Sequence, residues 1–332
     1  MRVLIILIVV LQVGCQLRAK KAGRSEAVDQ GEKPGTEMIA IQSKKSQGEQ
    51  GSAHSNAPPV KEKSKDRPQE NAAVAEKQGV AAPKANPHGI DASLPWVNQW
   101  VIYSIKQLPR GGGYSVSRKA LNGLKQGVRM DAAGKVLRVD SKVARPSFCS
   151  SATYMVLAKV TSELVKRDVK VSPAAQQKIA KIGLPDGVGV WGRWNANGPG
   201  TARLFAELEC GNNFTSYDKA LAGDFMKIWW TEEIGSKESG HSVVFLGNEK
   251  KDGVDMVRFW SSNIPDGYGE QLIERAKVKR VLFSRLVDPE RLSGIEKLPG
   301  KDEFLADMLK RPADWKEVVR LCAVKETAEG KR

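Results

Sequence analysis

Histidine is nearly missing from this 332-residue chain, with three copies against 53 lysines and arginines. So few imidazoles, and no grouping of them with cysteine or carboxylates, leave no expectation of a metal centre. No internal repeat and no phosphate-cradling glycine loop occurs, so no cofactor is expected. Cysteine is also sparse, at four, which is too few for a disulfide scaffold in a chain this long. Although the formal charge is +15, the basic residues are scattered from end to end. They form no ordered cluster interleaved with aromatics and no helix-turn-helix or zinc-finger spacing, which argues against nucleic acid as a partner. The charge suits solubility and attraction to anionic polymers or lipid headgroups.

Phe, Trp and Tyr are absent from residues 16 to 87, a stretch rich in Lys, Glu, Gln, Ser, Gly, Ala and Pro. It cannot bury enough apolar surface to offset its ordering entropy, and residues 16–90 are expected to be a disordered tether. His54 and His88 lie in or beside it and read as solvated. Ahead of it, Met1-Arg2 and the short apolar run to Val13 read as an export signal covering residues 1–15, too short to span a bilayer comfortably as a helix. Leu11-Gln12-Val13-Gly14-Cys15 resembles a bacterial lipoprotein signal, with Gln12 where leucine is usual. Lipidation at Cys15, ordinary cleavage and an uncleaved anchor are the three readings it leaves open.

Order is expected from about residue 91 to 326, starting where Trp96, Val97, Trp100, Val101, Ile102, Tyr103 and Ile105 arrive together. A glycine turn at Gly111-Gly112-Gly113, a helix over 115–124 and a strand over 136–139 precede the most informative stretch. There Arg145-Pro146-Ser147-Phe148-Cys149 leads into an apolar-sided helix over about 148–167, with Ser147 as its expected N-cap. A cysteine in a first helical turn meets unpaired N–H groups and the positive end of the helix dipole, which favour the thiolate. Cys149 therefore reads as a nucleophile or, on the plainer alternative, as a buried or disulfide-bonded cysteine. Cys210 and Cys322 could pair, which would leave Cys149 free, but spacing does not decide it.

Further on, a helix is expected over 173–182, a loop over 190–200 and a helix over 201–209. The loop carries Trp191, Trp194 and Asn195 among glycines, and two readings fit it. The tryptophans offer stacking surfaces beside a substrate cleft, or they plug the core. Strands are expected around 225–230, 240–247 and 255–263, then a turn at 267–269, a helix over 271–276, a strand over 279–286 and terminal helices. His241 opens the second of these strands behind Gly240. It reads as a structural residue or as the one imidazole available as a base.

A cysteine at a helix start, then Gly223-Asp224 leading into a strand, then Gly240-His241 leading into the next, resembles the papain-like cell-wall peptidases and amidases of the NlpC and CHAP type. The resemblance covers roughly residues 145–265. It implies an α+β papain-like fold with a central antiparallel sheet packed against the cysteine helix. It also implies Cys149 as nucleophile, His241 as base, and a third polar residue within Ser261-Ser262-Asn263 to orient the imidazole. Alternation places Ser261 and Asn263 on one face, and Asn263 is the choice because its amide can accept the ring N–H. Trp191, Trp194, Asn195 and Ser261 are then candidate substrate-binding residues. Phe148 stands where the family has Asp, and Ser150-Ser151 where it has Ser-Gly. The expected activity is exported hydrolysis of amide bonds in peptidoglycan stem peptides or another peptide-containing polymer, with the membrane as a partner through a lipid anchor. The alternatives are a non-catalytic cell-wall-binding module of the same fold and a structural envelope lipoprotein.

Overall fold

The computed structural model of the protein describes residues 87, 89–184 and 186–325, so the expected leader and tether up to residue 86, with Cys15, His54 and His88, lie outside the described residues. Among the described residues no helix is long and apolar enough to cross a membrane. In chain order the elements are α1 (Trp96–Lys106), β1 (Gly111–Gly112), α2 (Arg118–Gly127), β2 (Val128–Met130), β3 (Leu137–Val139), α3 (Cys149–Val165), α4 (Pro173–Ala180), α5 (Gly189–Trp194) and α6 (Gly200–Leu208). They continue as β4 (Gly211–Phe214), β5 (Phe225–Trp229), β6 (His241–Lys251), β7 (Val254–Asn263), β8 (Gly267–Glu274), β9 (Arg280–Leu286), α7 (Glu303–Asp307), α8 (Trp315–Leu321) and β10 (Val324–Lys325).

Eight strands form one sheet in the order β1-β8-β7-β6-β5-β9-β4-β10, and β2 and β3 make a separate ribbon. Every pair in the large sheet is antiparallel except β4 with β10, so the sheet is mixed and the architecture is mixed α/β. Alternation along β5 shows how the two faces divide. Met226 and Ile228 enter a cluster with Phe245, Phe259 and Phe283 on one side. Phe225 and Trp229 face the helical side, and Lys227 shares their parity.

The helix α3 lies at the centre of the helical layer, against α1, β3, β6 and β7. The apolar side expected from its sequence understates its burial, since 14 of its 17 residues are buried. A helix covered all round must satisfy its polar groups internally, and this one does. Tyr154 Oη donates to Ile179 O at 2.7 Å, Thr161 Oγ1 to Leu157 O at 2.9 Å and Ser162 Oγ to Leu137 O at 2.8 Å. Its start also differs from expectation. Ser147 is not the cap, because its hydroxyl donates to Ser262 Oγ at 2.9 Å across the layer. Phe148 takes the N-cap position, and its N–H donates to Ser151 Oγ at 2.9 Å.

One expectation along the strands is overturned by pairing at a distance. Residues 271–276 read as a helix, yet most of that stretch belongs to β8, which is paired to β7 along its whole length from Glu274 opposite Met256 to Gly267 opposite Asn263. Just past the end of α6, Gly211 is the first residue of β4, lodged between β9 and β10. The Gly223-Asp224 turn binds the helical layer to the sheet. Gly223 has φ +95°, and a side chain there would meet Asn98 O at 2.8 Å. Asp224 is fully buried and accepts two hydrogen bonds from Arg285, from Nε at 2.8 Å and Nη2 at 2.7 Å, and one from Asn98 Nδ2 at 2.8 Å.

Candidate active site

The N-terminus of α3 meets the sheet where β6 begins and β7 ends. Val244 pairs with Trp260 and Phe245 with Phe259, and continuing that register sets His241 opposite Asn263 on one face. His241 Nε2 lies 3.2 Å from Asn263 Oδ1. The amide is oriented from behind, because Asn263 Nδ2 donates to Gly269 O at 2.9 Å. Oδ1 is therefore the atom turned to the ring, Nε2 carries the proton, and Nδ1 is left for the thiol. Cys149 hydrogen-bonds to His241, and the N–H of Ser242 donates to the same sulfur.

Burial pushes the Cys149 thiol up, but the His241 hydrogen bond and charge, the Lys227 ammonium and the Ser242 N–H together outweigh it and lower the pKa to about 7. The structure thus brings Cys149, His241 and Asn263 together from three separate stretches. Gly240 explains the local chain path. It has φ +72°, and a side chain there would meet Lys227 Cε at 2.7 Å and Trp229 Nε1 at 2.8 Å.

The cleft at the thiol is lined by Tyr114, Phe148, Ser150, Asn195, Asn197 and Lys227, among others. Of the four residues expected to touch substrate, Asn195 lies there. Ser150 Oγ donates a hydrogen bond to Asn195 Oδ1, which turns Nδ2 away from Ser150. Trp191 and Trp194 are corrections, because both are core residues, exposed by only 2% and 1%. The segment is the short helix α5 rather than a loop, and positions three apart on it point inward together. Trp191 packs edge-on against Tyr154 and Trp194 against Phe225, each with ring centroids 5.1 Å apart, and Trp194 Nε1 donates to Thr153 Oγ1 at 3.0 Å. Their role is to seat α5, so that Asn195 at its C-cap reaches the cleft. Arg193 helps, since it is wholly buried and bonds to Glu207 and to the carbonyls of Gly187, Gly189 and Pro299. Ser261 is likewise corrected. It is buried, and its hydroxyl donates to Ser242 O at 2.7 Å.

Lys227 is the cleft residue that sequence reasoning missed. A signal was present, since a lysine stands between Phe225 and Trp229 at positions of one parity in a strand. Its Nζ donates to Ser242 Oγ at 3.2 Å, and burial lowers its pKa to about 8. Cys149, Cys210 and Cys322 are all free thiols, so the open question of a Cys210 to Cys322 bridge is answered in the negative. Among the described residues no group of His, Cys, Asp or Glu could hold a metal ion. No family model, curated protein or solved structure matches the chain.

Proposed function

We propose that the protein is a cysteine hydrolase of the papain-like kind that cleaves amide bonds, with peptidoglycan stem peptides or a similar peptide-containing polymer as substrate. The observation that carries the reading is Cys149 at the first position of α3, hydrogen-bonded to His241, whose other ring nitrogen meets Asn263 Oδ1 at 3.2 Å. His241 Nδ1 accepts the thiol proton, and the thiolate adds to the amide carbonyl carbon. The oxyanion so formed is held by the Cys149 N–H, which has no partner within its own helix, and by Asn195 Nδ2. Collapse expels the amine, protonated by His241, and leaves an acyl thioester. Water deprotonated by His241 then releases the acid and restores the thiol. Asn263 keeps the ring in the tautomer that this proton traffic needs.

Incubation with purified peptidoglycan, followed by mass spectrometry of the soluble products, tests this directly. Wild-type protein should release stem-peptide fragments that Cys149→Ala does not, and identical product sets would sink the proposed substrate. We propose in addition that the protein is exported to the cell envelope, and of the three readings of its leader we take lipidation at Cys15 as the one to test. Cys15→Ser should then move it out of the membrane fraction, and unchanged fractionation would remove the lipid anchor.

A further inference from the structure

Lys227 is the one lysine, arginine or carboxylate among the side chains lining the cleft at Cys149. It is packed tightly, with its stem beneath Gly240 and one N–H directed to Ser242 Oγ at 3.2 Å. No carboxylate forms an ion pair with it among the described residues. The charges that reach it are those of the Cys149 thiolate and, less strongly, of Glu238, which is buried and accepts from both the N–H and the hydroxyl of Thr231, at 2.8 and 2.7 Å. A half-buried ammonium with one hydroxyl hydrogen bond relies on the Cys149 thiolate for its charge balance, and that balance is lost once the sulfur is acylated, a cost that an anionic group of the ligand would relieve. Two of its N–H groups are left for such a ligand.

We propose that Lys227 is the anion subsite of this cleft and binds a carboxylate of the substrate close to the carbonyl that Cys149 attacks. This rests on Cys149 being the nucleophile. It narrows the substrate class to peptides with a free carboxylate beside the cleaved amide, from a chain terminus or an acidic side chain.

Two alkylating agents test it, because iodoacetate and iodoacetamide attack the same thiolate with loss of iodide and differ in the carboxylate. Their rate ratio cancels the thiolate fraction, and mass spectrometry of the Cys149 peptide reads it. Relative to N-acetylcysteinamide, wild-type Cys149 should favour iodoacetate on the order of tenfold, as a cation within a few ångströms would dictate. Lys227→Met should bring the ratio back towards the reference, and Lys227→Arg should preserve it. Lys227→Gln, one bond shorter but still an uncharged N–H donor, serves in place of Lys227→Met should that variant not fold. A wild-type ratio at or below the reference, or a preference that survives removal of the charge, would overturn the subsite while leaving the nucleophile intact. If neither reagent modifies Cys149, the hydrolase reading falls and the subsite with it.

Discussion

The rim of the sheet at Cys149 and the interior around Cys210 and Cys322 hold the same side chain at nearly the same burial, 7% exposed in the first case and 0% in the other two. Burial pushes all three thiols up. At Cys322 it prevails, with Arg203 opposing it in part, and the pKa is raised to about 12. At Cys210 burial again leads, and the thiol lies far above its ordinary range. At Cys149 the imidazole of His241, the ammonium of Lys227 and the N–H of Ser242 reverse the outcome. The difference lies in the neighbours and not in the depth. The thiol whose neighbours favour the thiolate also lines a cleft.

The sharpest way to break this contrast is to remove the rim thiol. Cys149→Ala should reduce amide hydrolysis to background, with Cys210 and Cys322 unable to substitute. Residual turnover in that variant would mean that the chemistry lies elsewhere. In the native wild-type protein at about pH 7.5, iodoacetamide should label Cys149 first, and the other two only after denaturation, as peptide mapping would show. The labelling rate should fall as pH drops through about 7, because the thiolate is then protonated, whereas an ordinary cysteine titrates near pH 8.5. A midpoint at or above 8.5 would erase the distinction between the two regions.

Removing the neighbour tests its cause. His241→Ala deletes the largest of the lowering influences, so the Cys149 pKa should rise and labelling at pH 7 should slow. Hydrolysis should fall about 10²–10⁴-fold, the usual share of a general base. Both measurements should move together, and a loss of hydrolysis with unaltered labelling would separate His241 from the thiol.

Asp224 belongs to the interior side of the comparison. Its carboxylate is wholly buried and shared by Arg285 and Asn98, so Asp224→Ala leaves an uncompensated guanidinium and should destabilise the fold by about 3–5 kcal/mol in urea denaturation. In whatever fraction remains folded, the labelling rate of Cys149 should be close to wild type, since Asp224 touches nothing at the rim. A selective loss of reactivity without loss of stability would assign Asp224 to the site.

Much of the rim was legible in the sequence, because local rules govern it. Pro146 and the apolar spacing after Cys149 mark a helix start, and the period of two along residues 254–263 turns Asn263 to the face that His241 occupies. What escaped depends on partners far along the chain. Asp224 reads as a turn residue until Arg285, 61 positions on, and Asn98, 126 positions back, close around it. Residues 267–274 are a strand because β7 pairs with them, whatever their local pattern suggests. The tryptophan segment, full of Gly and Asn, hides a helix of six residues whose two rings turn into the core. Lys227 could have been read by parity alone, as a charge on the same strand face as Phe225 and Trp229.

The smallest expected effect concerns Asn263, and it tests how far the rim depends on orientation rather than on charge. Asn263 neither reacts nor carries charge. It holds one hydrogen bond to His241 and is itself fixed by Gly269 O at 2.9 Å. Losing a neutral hydrogen bond is worth about 1 kcal/mol, which corresponds to roughly a fivefold to tenfold loss in rate. Asn263→Ala should therefore lower kcat/KM by no more than about tenfold, well short of the His241→Ala loss, while the pH midpoint of Cys149 labelling stays near 7. The melting temperature should move by only about 2–4 °C if the fold loses no more than that one bond. An unchanged kcat/KM would show that His241 finds its tautomer without Asn263. A loss as large as that of His241→Ala would make the amide part of the reacting machinery, and the site would then depend on orientation as strongly as on charge.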